Sequence, residues 1–444
     1  MSLLSNALSG LNAANIGLIV AGQNTANEAV EGYSRQGMTL ATSSGNLNGV
    51  SVVSVDRIVN SFYNDDIWRT QADLSHYEGL QSYLGYLEEL MGTDSLNLNN
   101  SIADITTALN ASMTNPESTA YRQEVLAAAE SLIQDLAQLN SAINGQLEKM
   151  SNEMSDLSTN ASSVMEQIAD YNQKVALAKA KGDSTAELED ARETLVTQLS
   201  EFIGVDVNYR DDGQMDISTL SGAPLVIGRQ AASLSVNGTE VTSTLSTQSF
   251  LLHGDIGGRL GGLITAENDA IQPTIDSLND IVTQLADGVN NALAEGFDLN
   301  GTPGEPMFTY NAANPIGSLA LSDTISVETL AFIGGEDDGA GGWVATGGAG
   351  DNNNLSNIIA AFESQGDSYT SLVGRLATES RQNQSSVATA QALTDNAVSA
   401  RDSLSGVNLD EEAANILHFQ QLYQANAKVM ATADELFNTL LASF

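Results

Sequence analysis

A large apolar side chain recurs at every seventh position along the end of this chain, residues 407–443. Leu409, Ile416, Tyr423, Met430 and Phe437 fall on one line, with Ala413, Phe419, Ala427, Ala433, Leu440 and Leu441 beside it. A heptad row on a helix demands a partner surface. Burying its five large side chains would contribute roughly 7–15 kcal/mol, at about 1.5–3 kcal/mol each. That matches the whole stability of a typical domain, so the row is expected to be covered in the working state. The helix also has a marked start. Asn408 is placed to cap it, Glu411 stands at the acid position of a capping box, and Asp410 and Glu412 favour the positive end of the dipole.

The other end of the chain carries a matching pattern. Leu4, Leu11 and Leu18 are seven apart, Ala7, Ala14 and Ala21 form a second row, and Leu8 fills the edge. The simplest arrangement pairs the two terminal helices, small residues opposite large ones. Charge placement agrees. The chain holds 16 basic and 56 acidic residues, net −40, yet residues 1–48 contain only Glu28, Glu31 and Arg35. Residues 405–444 carry five acids and one lysine, so the remaining −35 lies in the middle. Both arms are patterned for contact while the middle wears a solvating acidic coat.

Between the arms the period of the apolar pattern changes twice. Residues 32–49 are rich in Gly, Ser, Thr and Asn and read as loop or extended chain, and 50–55 alternate as a short strand. A helix is expected over 67–91, and Asn115 with Pro116 should cap a very long one. Its row runs from Leu147 through Met150, Met154, Leu157, Ala161, Val164, Ile168 and Tyr171 to Val175 without a slip, and extends back to Leu132. From Gly204 the period is two, with turns at Asp212-Gly213 and Asn237-Gly238. Helix returns over 275–289 and again from Leu355, with short strands and glycine-rich turns at 316–350 between them. The expected fold is therefore mainly α with a β-rich insertion. It comprises a coiled-coil-like arm (1–48 with 405–444), a long helical-bundle rod domain (49–204 with 251–300 and 352–404) and a small β outer domain (205–250 with 301–351).

Composition excludes several functions. Strong acidity argues against nucleic acid, whose backbone is held by lysine and arginine. The longest apolar run, residues 16–21 with one glycine, is too short to span a bilayer, so no membrane insertion is expected. A basic region followed by a long apolar stretch and a cleavage site is missing, which argues against a cleaved secretory signal. With no cysteine there is no disulfide, thiol nucleophile or cysteine metal site. The three histidines, His76, His253 and His418, are far apart in sequence. No nucleophile elbow, zinc-protease helix or phosphate loop occurs. The glycine-rich stretch Gly257-Gly258-Arg259-Leu260-Gly261-Gly262 reads as a turn before a helix, and the acids at 211–212 and 336–338 as acidic turns without the spaced ligands of a calcium loop. No enzyme activity, cofactor or metal is expected.

Several motifs resemble the bacterial flagellar axial proteins. Residues 421–428, from Gln421 through Leu422, Tyr423, Gln424, Ala425, Asn426 and Ala427 to Lys428, are similar to the C-terminal signature shared by rod, hook and hook-associated members. Residues 432–436 and Leu440-Leu441 extend it. Upstream, 405–415 and Phe419-Gln420-Gln421 resemble the hook-associated branch. At the N-terminus, 8–13, Asn24 and Asn27, and the run Gly32-Tyr33-Ser34-Arg35-Gln36 match the family's opening helix and its ending; rod and hook proteins more often show lysine where Ser34 stands. Val30-Glu31 replaces the family's usual threonine-proline.

The resemblance implies a structural protein at the hook–filament junction, extracellular and exported without a cleaved signal peptide. Its implied partners are the hook protein, a second junction protein, further copies of itself in a ring or helical layer, and an export chaperone at the C-terminal helix. The packing residues expected in that case are Leu4, Leu8, Leu11, Leu18, Leu409, Ile416, Phe419, Tyr423, Met430, Phe437, Leu440 and Leu441. A hook or rod subunit would share the terminal helices without needing the sustained row at 147–175. A coiled-coil adhesin would instead show termini that are stable helices on their own.

Overall fold

The structure, a computed structural model, describes residues 2–30, 32–42, 49–93, 96–254, 256–339 and 342–442. Helix α1 (Ser2–Ala26) is followed by an antiparallel ribbon of β1 (Gln36–Thr42) and β2 (Val50–Arg57), with a bulge between Thr39 and Leu40. Helices α2 (Ser61–Gly92), α3 (Leu98–Ser112), α4 (Thr119–Lys181) and α5 (Ala186–Phe202) come next. Strands β3 (Val205–Tyr209), β4 (Met215–Thr219), β5 (Pro224–Ile227) and β6 (Gln230–Ala231) form one sheet in that order. Strands β7 (Ser233–Asn237), β8 (Glu240–Leu245) and β9 (Gln248–Leu251) form another. Helix α6 (Gly258–Thr265) runs through a π-helical turn, Ala266–Ile271, into α7 (Gln272–Ala294). Next come β10 (Phe308–Thr309), the short α8 (Pro315–Ser318) and β11 (Ala320–Leu321), which pairs with β10. The ribbon of β12 (Gly335–Asp337) and β13 (Trp343–Ala345) leads into α9 (Leu355–Ser405) and α10 (Leu409–Ala442).

The expected mainly-α architecture with paired terminal helices and β-rich insertions is thus present. Helix α4 spans 63 residues, about 94 Å at 1.5 Å per residue. Its apolar row is buried from Leu132 to Val175, apart from Leu147 and Tyr171, which are half-buried. The start lies later than Asn115 and Pro116 suggest. Those two residues shape a turn, and the Pro116 carbonyl accepts from Arg122 Nε at 2.6 Å. Helix α3 and the π turn were not expected, although Leu98, Ile102, Ile105 and Leu109 of α3 stand at helical spacing behind the Asn97 cap.

The chain divides into two compact units. One comprises Met1–His76, Asp156–Leu260 and Ala388–Phe444; the other comprises Tyr77–Ser155 and Gly261–Val387. This grouping differs from the expected one, which joined the two β-rich stretches. No described sheet contains strands from both 205–251 and 308–345. Among the described residues the strands of each stretch pair only with one another, apart from an isolated bridge between Ile333 and Phe297.

In the first unit, Asn172 on α4 fastens the β3–β6 sheet. Its Nδ2 donates to the Met215 and Gly228 carbonyls at 2.8 and 2.7 Å, while Oδ1 accepts from Met215 N–H and from the buried Arg192. In the second unit, Arg122 is fully buried over the Phe332 ring and donates to the carbonyls of Val327 and Leu330. Burial of its cation lowers the Arg122 pKa to about 10.

The loop after α7 turns on Asp298. Burial pushes its carboxyl up, but donors from Thr302 and Asn300 outweigh this and hold it below the usual carboxylate range. A depressed folded-state pKa contributes stability above the ordinary value that is lost as pH falls through the folded pKa. The stability difference between wild type and Asp298→Asn is therefore expected to be largest near neutrality and to shrink below about pH 4. Thermal unfolding of both proteins over a pH series reads this directly; a constant difference would contradict it.

Candidate assembly interface

Helices α1 and α10 pack against each other in antiparallel sense, and two glycines mark the contact. A Cβ on Gly10 would stand 2.6 Å from Asn426 Oδ1, and one on Gly17 would stand 2.6 Å from the Phe419 ring. Both pairs are seven apart on each helix, so Phe419 and Asn426 act as knobs filling gaps that only glycine leaves. Ala7, Ala14, Gly17, Ala21 and Asn24 are buried, with Gly10 half-buried in line with them. The spacing of three and four makes this small-residue row the true inner seam of α1.

The leucines stand elsewhere. Leu4 and Leu8 are exposed, while Leu11 and Leu18 are half-buried. On α10, Ile416, Phe419 and Met430 are half-buried and Tyr423 is exposed. Leu409, Phe437 and Leu441 are exposed as well, Phe437 to 61%. The side chain of Leu440 lies outside the described residues. Length explains the open ends. Helix α1 has 25 residues against 34 in α10. In the register set by the glycines, Leu409 falls beyond one end of α1 and Phe437 beyond the other. One chain alone therefore leaves three of the five heptad-row side chains, Leu409, Tyr423 and Phe437, exposed.

The family-motif residues form a knot at the root of this helix pair. Asn24 exchanges hydrogen bonds with Gln36, accepting from its N–H at 2.9 Å and donating to its carbonyl at 3.0 Å, and Asn24 Oδ1 also accepts from Tyr33 Oη. Asn27 donates to the Gln23 carbonyl, and Gly32 takes the left-handed conformation at φ 79°. The preceding Glu31, where the chain departs from the family's threonine-proline, lies outside the described residues. Ser34 N–H donates to Asp190, and Arg35 N–H donates to the Ser405 carbonyl. The Arg35 guanidinium reaches Glu411 at 2.8 Å and the buried Glu412 at 2.7 Å. Asn408 caps α10 as expected, accepting from Asp410 N–H at 3.0 Å. Glu411 pairs with Arg35 rather than closing a capping box, since a guanidinium offers it a charge-assisted bond. Gln424 and Ala425 are exposed, and Asn426 is the glycine knob.

Behind the knot lies a charge cluster that local patterning did not reveal. Arg57, at the end of β2, binds three carboxylates of α5: Glu189 at 3.1 Å, Asp190 at 2.6 Å and Glu193 at 2.7 Å. Burial pushes the Asp190 carboxyl up even beside this arginine. Asn64 donates to Glu193 and Trp68 Nε1 to Thr197 Oγ1, tying α2 to the same helix. A cleft of ≈ 840 Å³ runs between residues 28–35, α5 and the corner joining α9 to α10. Among the described residues no group of three or more His, Cys, Asp or Glu side chains could hold a metal ion. His418 lies on the surface of α10 against the Phe419 ring.

Residues 3–26 are long and apolar enough, by length and composition alone, to cross a membrane. This differs from the expectation based on the longest uninterrupted run. Alanine, leucine and an absence of charge raise the average over the whole helix, and its small-residue face packs on α10.

Comparison with known proteins meets this geometry. The family model described as the flagellar hook-associated protein FlgK helical domain matches residues 84–308, just over half of the chain. The chain belongs to this flagellar hook-associated protein family. A second family model, the C-terminal region of the flagellar basal body rod FlgEFG proteins, matches residues 399–443, which include α10 and its motif. Flagellar hook-associated protein 1 of Escherichia coli (strain K12) is 24% identical over 99% of both chains. That of Bacillus subtilis (strain 168) is 22% identical over 99% of this chain and 97% of its own. The solved structure of the flagellar hook junction protein FlgK from Burkholderia pseudomallei superposes with a TM-score of 0.68 at 15% identity. It covers 77% of this chain and 100% of that one. At this identity the likeness concerns the fold.

Proposed function

We infer that this chain is a non-enzymatic subunit of the flagellar hook–filament junction, built in through its paired terminal helices. The full-length similarity to flagellar hook-associated protein 1 supports the place. The observation that carries the mode of assembly is the antiparallel α1–α10 pair with its heptad row left open beyond both ends of α1. Such a surface is costly in water and gains when neighbouring helices cover it. In this reading the hook protein lies below and a second junction protein above. Copies of the chain pack side by side, and Leu4, Leu8, Leu11, Leu18, Ile416, Tyr423, Met430, Phe437, Leu440 and Leu441 supply contacts. An export chaperone covers α10 beforehand, and ordering of the arm is coupled to association. Export proceeds without a cleaved signal peptide, and α1 is used for helix packing rather than membrane insertion.

Deleting the gene is expected to leave hooks without filaments and to shed unpolymerised filament protein into the medium. Electron microscopy of the cells and immunoblots of the medium read both outcomes. Cells that still carry filaments would overturn the assignment and favour a hook-unrelated role.

A further inference from the structure

Four asparagines of this chain precede glycine: Asn48, Asn144, Asn237 and Asn300. Glycine puts no side chain beside the following backbone nitrogen, so in an unfolded chain each of these nitrogens can reach the asparagine side-chain carbonyl carbon. Folding treats the pairs differently. Asn48 lies outside the described residues. Asn144 stands inside α4, and its Nδ2 donates to the carbonyl and the side-chain oxygen of Asn140 at 2.9 and 3.0 Å. The peptide after it belongs to the helical ladder, and turning that peptide would break α4 in its interior. At Asn300 the restraint is the buried Asp298. Its carboxylate accepts from Asn300 N–H at 2.8 Å and from Nδ2 at 3.5 Å, and its carbonyl accepts from Gly301 N–H at 3.1 Å. The attacking nitrogen and the amide under attack are both tied to one residue. Asn237 differs on each count. It ends β7 opposite Glu240 of β8, and both Asn237 and Gly238 are exposed. Among the described residues neither its side-chain amide nor the Gly238 N–H has a hydrogen-bond partner. Gly238 takes φ 59° at the first central position of a two-residue hairpin turn, and a Cβ there would meet nothing within 4 Å.

We propose that Asn237 is a site of spontaneous deamidation, selected over Asn144 and Asn300 by the fold. The Gly238 nitrogen, its proton taken by solvent base, attacks Asn237 Cγ. The bond from Cγ to Nδ2 breaks, Nδ2 collects a proton and leaves as ammonia, and a cyclic imide remains. Water then adds to either imide carbonyl and opens one of the two ring C–N bonds. One opening gives aspartate with the chain unchanged, the other gives isoaspartate with the chain running through the side-chain carbon. Turning the Asn237–Gly238 peptide for ring closure disrupts only the last pair of the β7–β8 hairpin, at an exposed tip where local opening costs least. Either product places a carboxylate opposite Glu240, and like charges directly opposite destabilise a strand pair. Isoaspartate also lengthens the backbone at that pair. The tip of the β7–β9 sheet therefore changes charge and geometry with time. The reaction needs only water, so it is independent of the junction reading.

The test is a time course on the purified full-length protein in mildly alkaline buffer, run once folded and once in concentrated urea. Peptide mapping by chromatography and mass spectrometry resolves asparagine, aspartate and isoaspartate at each of the three sites. In the folded protein, Asn237 is expected to convert to both products at least about tenfold faster than Asn144 and Asn300. That factor corresponds to a difference of about 1.4 kcal/mol in the free energy of local opening. In urea the three rates are expected to converge, because each is then an asparagine before glycine in an open chain. Equal rates in the folded protein would overturn the proposal, as would Asn144 or Asn300 converting first. So would an Asn237 that stays intact while the urea sample converts. An Asn237 lead that persists unchanged in urea would assign the selectivity to neighbouring sequence and overturn the role given to the fold.

Discussion

Met430→Asp is expected to abolish incorporation into flagella while leaving the two compact units folded. Met430 lies on the inner face of α10, half-buried, at the level of Ala7 in the register set by Gly10 and Gly17. An aspartate there puts an unpaired carboxylate into the seam, where no described basic side chain pairs with it. Desolvating a charge without a partner costs several kcal/mol, more than one seam residue contributes. The larger effect falls on assembly, because neighbours would exclude the water that still reaches this residue in the single chain. The rest of the fold is insulated, since α10 beyond its root packs chiefly on α1. Met430→Leu keeps volume and apolarity and is expected to assemble. Immunoblots of purified flagella together with thermal unfolding separate the two effects. Met430→Asp present at wild-type levels would remove the seam from the interface.

Arg57→Met should cost about 3–5 kcal/mol of stability, the range for removing one side of a buried ion pair. The arginine is 7% exposed and holds three α5 carboxylates, of which Asp190 and Glu193 are themselves largely buried. Without it, negative charges within one helical turn face each other, with Asn64 and Ser34 left as donors. Asp190 would then bind a proton more readily than it already does. Because its folded pKa is raised, its contribution to stability falls as pH rises from the ordinary carboxylate value through the folded pKa. The deficit of Arg57→Met is accordingly expected to be larger at pH 8 than at pH 5. Arg57→Lys retains the charge but not the fork that meets three acceptors, and an intermediate loss is expected. Denaturant unfolding at both pH values reads the series. A loss below about 1 kcal/mol would place the cluster among ordinary surface ion pairs.

What was legible depended on how far apart the interacting residues are. The row from Leu132 to Val175 announces α4 because helical periodicity is local. Asn237-Gly238 and Asp212-Gly213 announce their hairpins for the same reason, and Asn408 announces the start of α10. The Arg57 cluster joins residues 132–136 positions apart, and nothing in the neighbourhood of Arg57 or Glu193 marks the pairing. Helix α3 was legible in principle, since Leu98, Ile102, Ile105 and Leu109 stand at spacings of three and four behind Asn97, but the row is short. The late start of α4 turns on Arg122, whose carbonyl partners at Val327 and Leu330 lie some two hundred residues away. The inner seam of α1 was within reach. Gly10 and Gly17 interleave with Ala7, Ala14 and Ala21 at spacings of three and four, but the leucine rows have the larger transfer energy and dominate the apolar pattern.

By itself the sequence determined that both ends are weakly charged, heptad-patterned helices, that a very long helix and β-rich stretches lie between them, and that no catalytic constellation interrupts the pattern. These are properties of period and composition, which act over a few turns. Only the tertiary structure decided which face of each terminal helix looks inward. It brought the Gly17 gap to Phe419 and the Gly10 gap to Asn426, and so left Leu4 and Leu8 of α1 and Leu422, Leu436 and Phe437 of α10 exposed. Hydrophobicity asks only that apolar surface be covered. Steric fit between a glycine and a ring, residues four hundred positions apart, chooses which surface is covered within the chain and which stays exposed.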